Sequence, residues 1–355
     1  MYSEKKYLEE LQMIQGKTIA LVYIFEGEDA PGFKHYHIWK SDIISLWMNA
    51  IQSLKCMPLL LDVRTFSEKA INRTLPPIDF VINLNCGSYE LSSMGLVPSI
   101  CSFIGVPCIP CNTFSIVSGE NKQLSNIVAE SCGLLIPKIL SQSSSTSIYR
   151  PLNFGSSFGI KRGANVINEH GGFFQEFING YDITTPLCYN PLTENMEVLP
   201  TVIYQPKSGD SSCFFENNDN PFEAYNQKLS THLSDVIVEK YVSLCNKLDI
   251  NSYCRIDARI KADSLTELDT IINRGIALEN VYFLEINPMP TIGFNNAYPT
   301  SFEALTNEHP LYKCVQMQKK LFGSVSTHSF LLTTSMIRFF RAKYKNKTDL
   351  SHTVK

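Results

Sequence analysis

Four apolar runs punctuate the first 111 residues, and the segments between them carry a helical period. KTIALVYIF, Lys17 to Phe25, is β-branched and continuous; MPLLLDV and DFVINLN, the latter from Asp79 to Asn85, repeat the pattern. GLVPSICSFIGVPCIPCN supplies a helix, a turn and a further short strand. Apolar runs without alternation belong to strands covered on both faces. Strands in alternation with helices, such as Ser41 to Leu54, predict a parallel α/β sheet through about Cys111.

Past that point the pattern changes. From Thr113 a helix is expected to run to near Gly133, followed by the extended Leu134 to Pro137 and a serine-rich surface connection. SIYRP, FGIKRG and GGFFQEFI read as strands of a small α+β unit. DITTPLCYN and EVLPTVIYQP form an antiparallel pair, and a polar stretch follows from Ser208 to Asn220. A helix around Asp235 to Leu248 precedes two late strands, SYCRIDARI and VYFLEIN.

The chain of 355 residues suffices for two or three compact units, and 44% hydrophobic with 18% charged residues is the balance of a globular protein. A net charge of -3 gives no general attraction to nucleic acid or to an anionic membrane, and neither is expected as a partner. The basic IRFFRAKYKNK near the C-terminus reads as a solvated helix, with a weak polyanion contact as the alternative. Eleven cysteines without paired spacing predict reduced, mostly buried thiols, and no run approaches the ~18 apolar residues of a membrane helix. A cytoplasmic protein is expected.

The late strands carry the chemistry. Alternation sends Arg255, Asp257 and Arg259 to one face of YCRIDARI, and Phe283, Glu285 and Asn287 to one face of YFLEIN. Paired antiparallel, they would gather two carboxylates, an amide and a guanidinium. Carboxylates and amide oxygen are hard ligands suited to Mg²⁺, which draws its remaining ligands from water and phosphate. A structural network, with Glu285 satisfied by Arg255 or Arg259, is the competing explanation. In RPLNFGSSFGIKRG, Arg150 precedes Gly155, Ser156, Ser157 and Gly159, a tip whose backbone N-H groups could approach a phosphate or which could be an ordinary flexible hairpin. Glu176 and Asp182 in FFQEFINGYD could meet an adenine amino group and a ribose diol, or be solvated.

Taken in order, Lys122 in GENKQLSN, the basic-Pro pair at YRP, GSSFGI, QEFINGYD, RIDAR and LEINPMP resemble the ATP-grasp superfamily, and most closely the D-alanine-D-alanine ligase family. The resemblance runs from about Asn83 to Ala304. It implies a mixed α/β and α+β ATP-grasp fold. Its units would be an N-terminal Rossmann-like domain (1–112), a central subdomain (113–180), a C-terminal catalytic subdomain (181–330) and a basic tail (331–355). It implies ATP with magnesium, or manganese in its place, as cofactors, and commonly a homodimer. By resemblance, Lys122 and Arg150 meet the phosphates, and Ser156 and Ser157 belong to the phosphate-covering loop. Glu176, with the backbone of Phe177 and Ile178, lies at adenine, and Asp182 at ribose. Asp257, Glu285 and Asn287 are the metal ligands, and Arg255 faces the acyl phosphate.

Departures cluster on the substrate side. Arg150 stands where the family has lysine, and a planar guanidinium is not a conservative exchange at a tight site. The family's Pro-Gly is Pro290-Thr291, and Asn296 falls near the serine expected to meet the second substrate. NLNCGSYELSSMG replaces N-terminal substrate elements, and the lysine and tyrosine of the mobile loop are not evident in SCFFENNDNPFEAYN. Glu26, Glu28 and Asp29 could bind a substrate ammonium, with His35, Tyr36 and His37 beside them, or could be a solvated loop. The expected activity is ATP-dependent joining of a carboxylate to an amine, both from amino acids or small peptides. Arg255 and a backbone N-H near Thr291 would meet the oxyanion. A catalytically weak nucleotide-binding module and a phosphoryl transferase that stops at a phosphate ester are the competitors.

Overall fold

The structure, a computed structural model, describes residues 4–25, 39–88, 91–155, 157–168, 171–207, 225–230, 233–293 and 296–353, with side chains to 342. Helix α1 (Glu4–Met13) leads into strand β1 (Thr18–Tyr23), helix α2 (Ser41–Ser53), β2 (Met57–Asp62), α3 (Val63–Ile71), β3 (Phe80–Asn83), α4 (Leu96–Ile104) and β4 (Cys108–Ile109). The strands form an all-parallel sheet in the order β2-β1-β3-β4. β1 is apolar at successive positions because both faces are covered. Ile19 and Leu21 pack with Trp47 and Ile51 of α2 in one cluster, while Ala20 and Val22 pack with Phe66 of α3 and Val97 of α4 in another. Each such fully buried side chain contributes roughly 1.5–3 kcal/mol.

The helix expected from Thr113 to near Gly133 is two helices, α5 (Thr113–Glu120) and α6 (Lys122–Ser131). Asn121 between them is extended, at φ -76° and ψ 100°, and its Oδ1 accepts from the Leu124 N-H at 3.0 Å. An asparagine that caps a new helix at this point resets the axis and puts Lys122 at the first helical position.

Strands β5 (Ile139–Leu140), β6 (Ser147–Arg150), β7 (Lys161–Arg162) and β8 (Phe173–Glu176) form a small antiparallel sheet in the order β5-β8-β6-β7. FGIKRG, expected to be a strand throughout, is one only at Lys161 and Arg162, because Phe158 and Ile160 donate to the Gly155 and Ser157 carbonyls in turns.

The largest sheet holds β9 (Gly180–Asn190), β10 (Asn195–Val198), β11 (Thr201–Pro206), β12 (Tyr225–Ser230), β13 (Tyr253–Lys261) and β14 (Val281–Asn287). Its order is β12-β11-β9-β13-β14, with β10 also on β9. EVLPTVIYQP is therefore two strands, each antiparallel to part of β9. Helix α7 (Asp235–Lys247) precedes β13, and α8 (Leu265–Arg274) lies in the connection to β14. Helices α9 (Ala297–Glu303), α10 (Tyr312–Phe322) and α11 (Thr327–Thr353) complete the chain.

The basic C-terminal segment is not a solvated tail over its first half. Phe330, Leu331, Leu332, Met336 and Ile337 of α11 are fully buried, and the expected boundary at 331 falls inside this helix. Arg341 is buried as well and donates to Glu10 Oε2 at 2.6 Å, tying α11 to α1. All described cysteines are free thiols and all but Cys132 are buried. No described helix is long and apolar enough to cross a membrane.

Candidate functional site

β13 and β14 pair antiparallel with Arg255 opposite Asn287 and Asp257 opposite Glu285. A register shift follows between Asp257 and Ala258, a bulge that ends the regular pairing beside the acidic pair. Asn287 Nδ2 donates to Asp257 Oδ2 at 2.8 Å and to Glu285 Oε1 at 3.4 Å, so both carboxylates reach one point. On its other side β13 pairs with β9, where Thr184 stands opposite Asp257 and donates Oγ1 to Oδ1 at 2.7 Å.

Asp257 is held by a cation of its own strand, and Glu285 by cations from distant segments. Arg255 grips Asp257 with two parallel bonds, Nε to Oδ1 at 2.9 Å and Nη2 to Oδ2 at 2.7 Å. Glu285 is held by Arg150 Nη2 at 2.6 Å and faces Lys122 Nζ at 3.6 Å. The competing network had assigned Glu285 to Arg255 or Arg259; its partners are instead Arg150 of β6 and Lys122 of α6. Arg150 also donates to the Leu284 carbonyl at 2.8 Å and to Gln175 Oε1 at 3.4 Å. Lys122 donates to the Phe154 carbonyl.

Burial by itself would push the Glu285 carboxyl up, but Lys122, Arg150 and Arg255 together hold it below the ordinary carboxylate value. Burial lowers Lys122 and Arg150, with Glu285 opposing. Burial also works against the charge on Arg255, which Asp257 overcomes to leave it raised. Lys122, Arg150 and Arg255 stand with Asp257 and Glu285 along a cavity of about 540 Å³ whose lining adds Arg259 and the acids Glu120, Glu176 and Asp182, so cations and acids are nearly balanced along its wall.

The same cavity is lined by Ser157, Glu176, Phe177, Ile178, Asp182, Thr291 and Asn296. Ser157 takes φ +59°, a left-handed turn conformation that costs a serine of order 1 kcal/mol. Arg162 lies 3.8 Å over the Phe177 ring. Asp182, expected at a ribose, receives Arg259 Nη1 at 2.6 Å, and the Ile178 and Gly180 carbonyls receive Nε and Nη2 of the same arginine at 2.6 Å. Arg259 thus rigidifies the strand-to-loop segment from 178 to 182. Asn296 Nδ2 lies 3.4 Å from the Thr291 carbonyl. Ser156, Glu26, Glu28, Asp29, His35, Tyr36 and His37 lie outside the described residues.

Among the described residues no group of three or more His, Cys, Asp and Glu side chains gathers as a self-sufficient metal site. Asp257 and Glu285 nevertheless converge through Asn287, and rotation of that carboxamide would turn its oxygen toward the same point. Two carboxylates and one amide oxygen fit Mg²⁺ when phosphate oxygens and water complete the octahedron. The residues fit the ion in the company of a nucleotide.

Sequence reasoning missed three residues that line the cleft: Thr184, Gln175 and Glu120. Thr184 carries a legible signal, since any strand beside β13 must present one residue opposite Asp257. Gln175 lay within FFQEFI, where alternation hides it from the solvent face. Glu120, alone before the Asn121 break, gave no periodic signal.

No family model matches the sequence, and no curated protein matches it. Among solved structures, the chain resembles VanG D-Ala:D-Ser ligase from Enterococcus faecalis with TM-score 0.56 at 16% identity, over 86% of this chain and 100% of that one. It resembles D-alanine-D-alanine ligase from Bacillus anthracis complexed with ATP with TM-score 0.54 at 14% identity, over 87% and 99%. Both are ATP-grasp enzymes, and the likeness covers most of this chain. The chain has the ATP-grasp fold, in the arrangement seen in the D-alanine ligases.

Proposed function

We propose that the protein is an ATP-dependent carboxylate-amine ligase. One observation carries the reading: Asp257, Glu285 and Asn287 converge beside Lys122, Arg150 and Arg255 in a single cleft of an ATP-grasp fold. The acid substrate's carboxylate attacks the γ-phosphorus of ATP, ADP leaves, and an acyl phosphate results. The amine then attacks the acyl carbon and inorganic phosphate departs.

Magnesium, or manganese in its place, held by Asp257, Glu285 and Asn287, would neutralise charge on the phosphates. Lys122 and Arg150 have a second duty. They neutralise Glu285 when the cleft lacks an anion, and a triphosphate offers their N-H groups a stronger set of acceptors. Arg255 and a backbone N-H near Thr291 meet the oxyanion, a contribution worth ~3–4 kcal/mol per good donor in acyl-transfer sites. Ser157 and Ser156 cover the phosphates, Glu176 and the Phe177-Ile178 backbone hold adenine, and Asp182, positioned by Arg259, meets ribose. No protein nucleophile is required.

The substrates are amino acids or small peptides, by analogy with the D-Ala and D-Ser of the similar structures' names. Altered residues at Thr291 and Asn296 argue for a second substrate other than D-alanine. The chain works in the cytoplasm as a homodimer, with units near 1–112, 113–180 and 181–330, and with α11 packed on them rather than standing as a separate tail. The test is incubation with ATP, Mg²⁺ and an amino-acid panel, with ADP measured and amide products sought by mass spectrometry. Amide formation coupled to ADP release supports the ligase; ATP binding without turnover on any acid and amine pair refutes it.

One feature supports the nucleotide-binding module as a second reading. Arg150, in place of the family lysine, caps Glu285 at 2.6 Å while Arg255 chelates Asp257, so both proposed metal carboxylates are already paired. That reading predicts Mg²⁺-independent ATP affinity.

A further inference from the structure

At the end of α5, Glu120 lines the cleft together with Lys122, Asn153 and Glu285, and is 6% exposed. Among the described residues, neither Oε1 nor Oε2 has a hydrogen-bond partner. Asn153 and the Ser92 backbone face it without reaching hydrogen-bond geometry. The nearest cation, Lys122, donates to the Phe154 carbonyl and faces Glu285. Burial raises the carboxyl to about 7, against the pull of Lys122.

The position is also rigid. A Cβ on Gly119 would stand 2.8 Å from Cγ and Cδ of Pro288, so the end of α5 is wedged against the segment that leaves β14. Glu120 is thereby held near the Pro288 to Thr291 loop, which the ligase reading assigns to the acyl centre. A buried carboxylate with no partner costs several kcal/mol, and folds retain such groups where a ligand supplies the missing partner. An anion is excluded by charge. A neutral ligand would leave the desolvation of the ionised form uncompensated. A metal ion would need further carboxylate, imidazole or thiolate ligands, and none gathers among the described residues.

We infer that Glu120 is a substrate-binding residue of this cleft and that the group it takes is a substrate's ammonium. The inference deepens the ligase reading and rests on it for the word substrate, while the binding itself is measurable without turnover. It assigns to described residues a task the sequence had offered to Glu26 and Glu28. A three-donor ammonium can bond a carboxylate oxygen and the Asn153 side chain together.

The probes are methylammonium and tetramethylammonium chloride at equal ionic strength, added to the full chain with Mg²⁺ and a non-hydrolysable ATP analogue. Melting temperature is the readout. Methylammonium should raise it saturably, and tetramethylammonium, which has no N-H, should not. In Glu120→Gln the methylammonium midpoint should weaken on the order of ten- to a hundredfold, the loss expected for a charged hydrogen bond. Glu120→Met, of similar length and without polarity, should behave alike and serves if the glutamine variant does not fold. A melting response to the analogue in each variant shows that the cleft has formed.

No saturable methylammonium response in the wild type overturns the assignment, and so does an equal response in wild type and variants. Failure of the ligase reading looks different: amide never forms, whatever methylammonium does.

Discussion

Replacing Glu120 by glutamine should stabilise the folded protein, and by an amount that depends on pH. The carboxyl rises from its ordinary 4.5 to about 7 on folding, and at 1.36 kcal/mol per pH unit this is roughly 3 kcal/mol. Below pH 4.5 the acid is protonated in both states and costs nothing. Between pH 4.5 and 7 the unfolded chain releases its proton while the folded chain keeps it, so the wild type loses stability as pH rises. Above pH 7 both states are ionised and the full cost persists. Lys122 faces this carboxyl and pulls its value down, against the larger effect of burial. Glutamine keeps the shape and has no proton to lose. Urea unfolding of both proteins at pH 4.5, 6, 7 and 8 should give curves that coincide at the acid end and separate by roughly 3 kcal/mol at pH 8. A gap that does not change with pH, or a glutamine variant less stable at pH 8, would refute the claim that this carboxylate lacks a partner.

Glu285→Gln should lower Mg²⁺-dependent turnover by on the order of a hundredfold or more while the chain still folds, read by ADP release and circular dichroism; undiminished turnover removes the metal assignment. Gly180→Ala should cost ~3 kcal/mol or more, because the backbone sits at φ +148° and the new Cβ would lie 1.9 Å from the Ile260 carbonyl oxygen. A melting temperature equal to wild type would contradict that geometry. Arg341→Met should cost ~3–5 kcal/mol by leaving Glu10 buried without its cation, and Glu10→Leu with Arg341→Met should recover most of the loss in chemical denaturation. No recovery in the double variant would mean the arginine acts through other contacts.

Whatever depends on local period was legible in the residues alone. Continuous apolar runs announced the doubly covered β1, and alternation on YCRIDARI and YFLEIN put Asp257, Glu285 and Asn287 on matching faces, because side chains in a strand repeat every two residues. The same reasoning overran at Asn121, where a helical period continues on both sides of a capping residue that splits it. It also misjudged the C-terminal helix, whose basic residues are conspicuous in composition while Phe330 to Ile337 face the core. Arg255 and Asp257 share a strand face two residues apart, but the cations on Glu285 come from long-range packing. Arg150 is 135 residues from Glu285 along the chain, and no periodicity relates them; the antiparallel β6-β8 sheet and the cap at Asn121 bring Arg150 and Lys122 to one carboxylate. The lone Glu120 is the same case reversed. Its lack of a partner exists only in three dimensions, since pairing is set by packing between distant segments and not by neighbours in sequence.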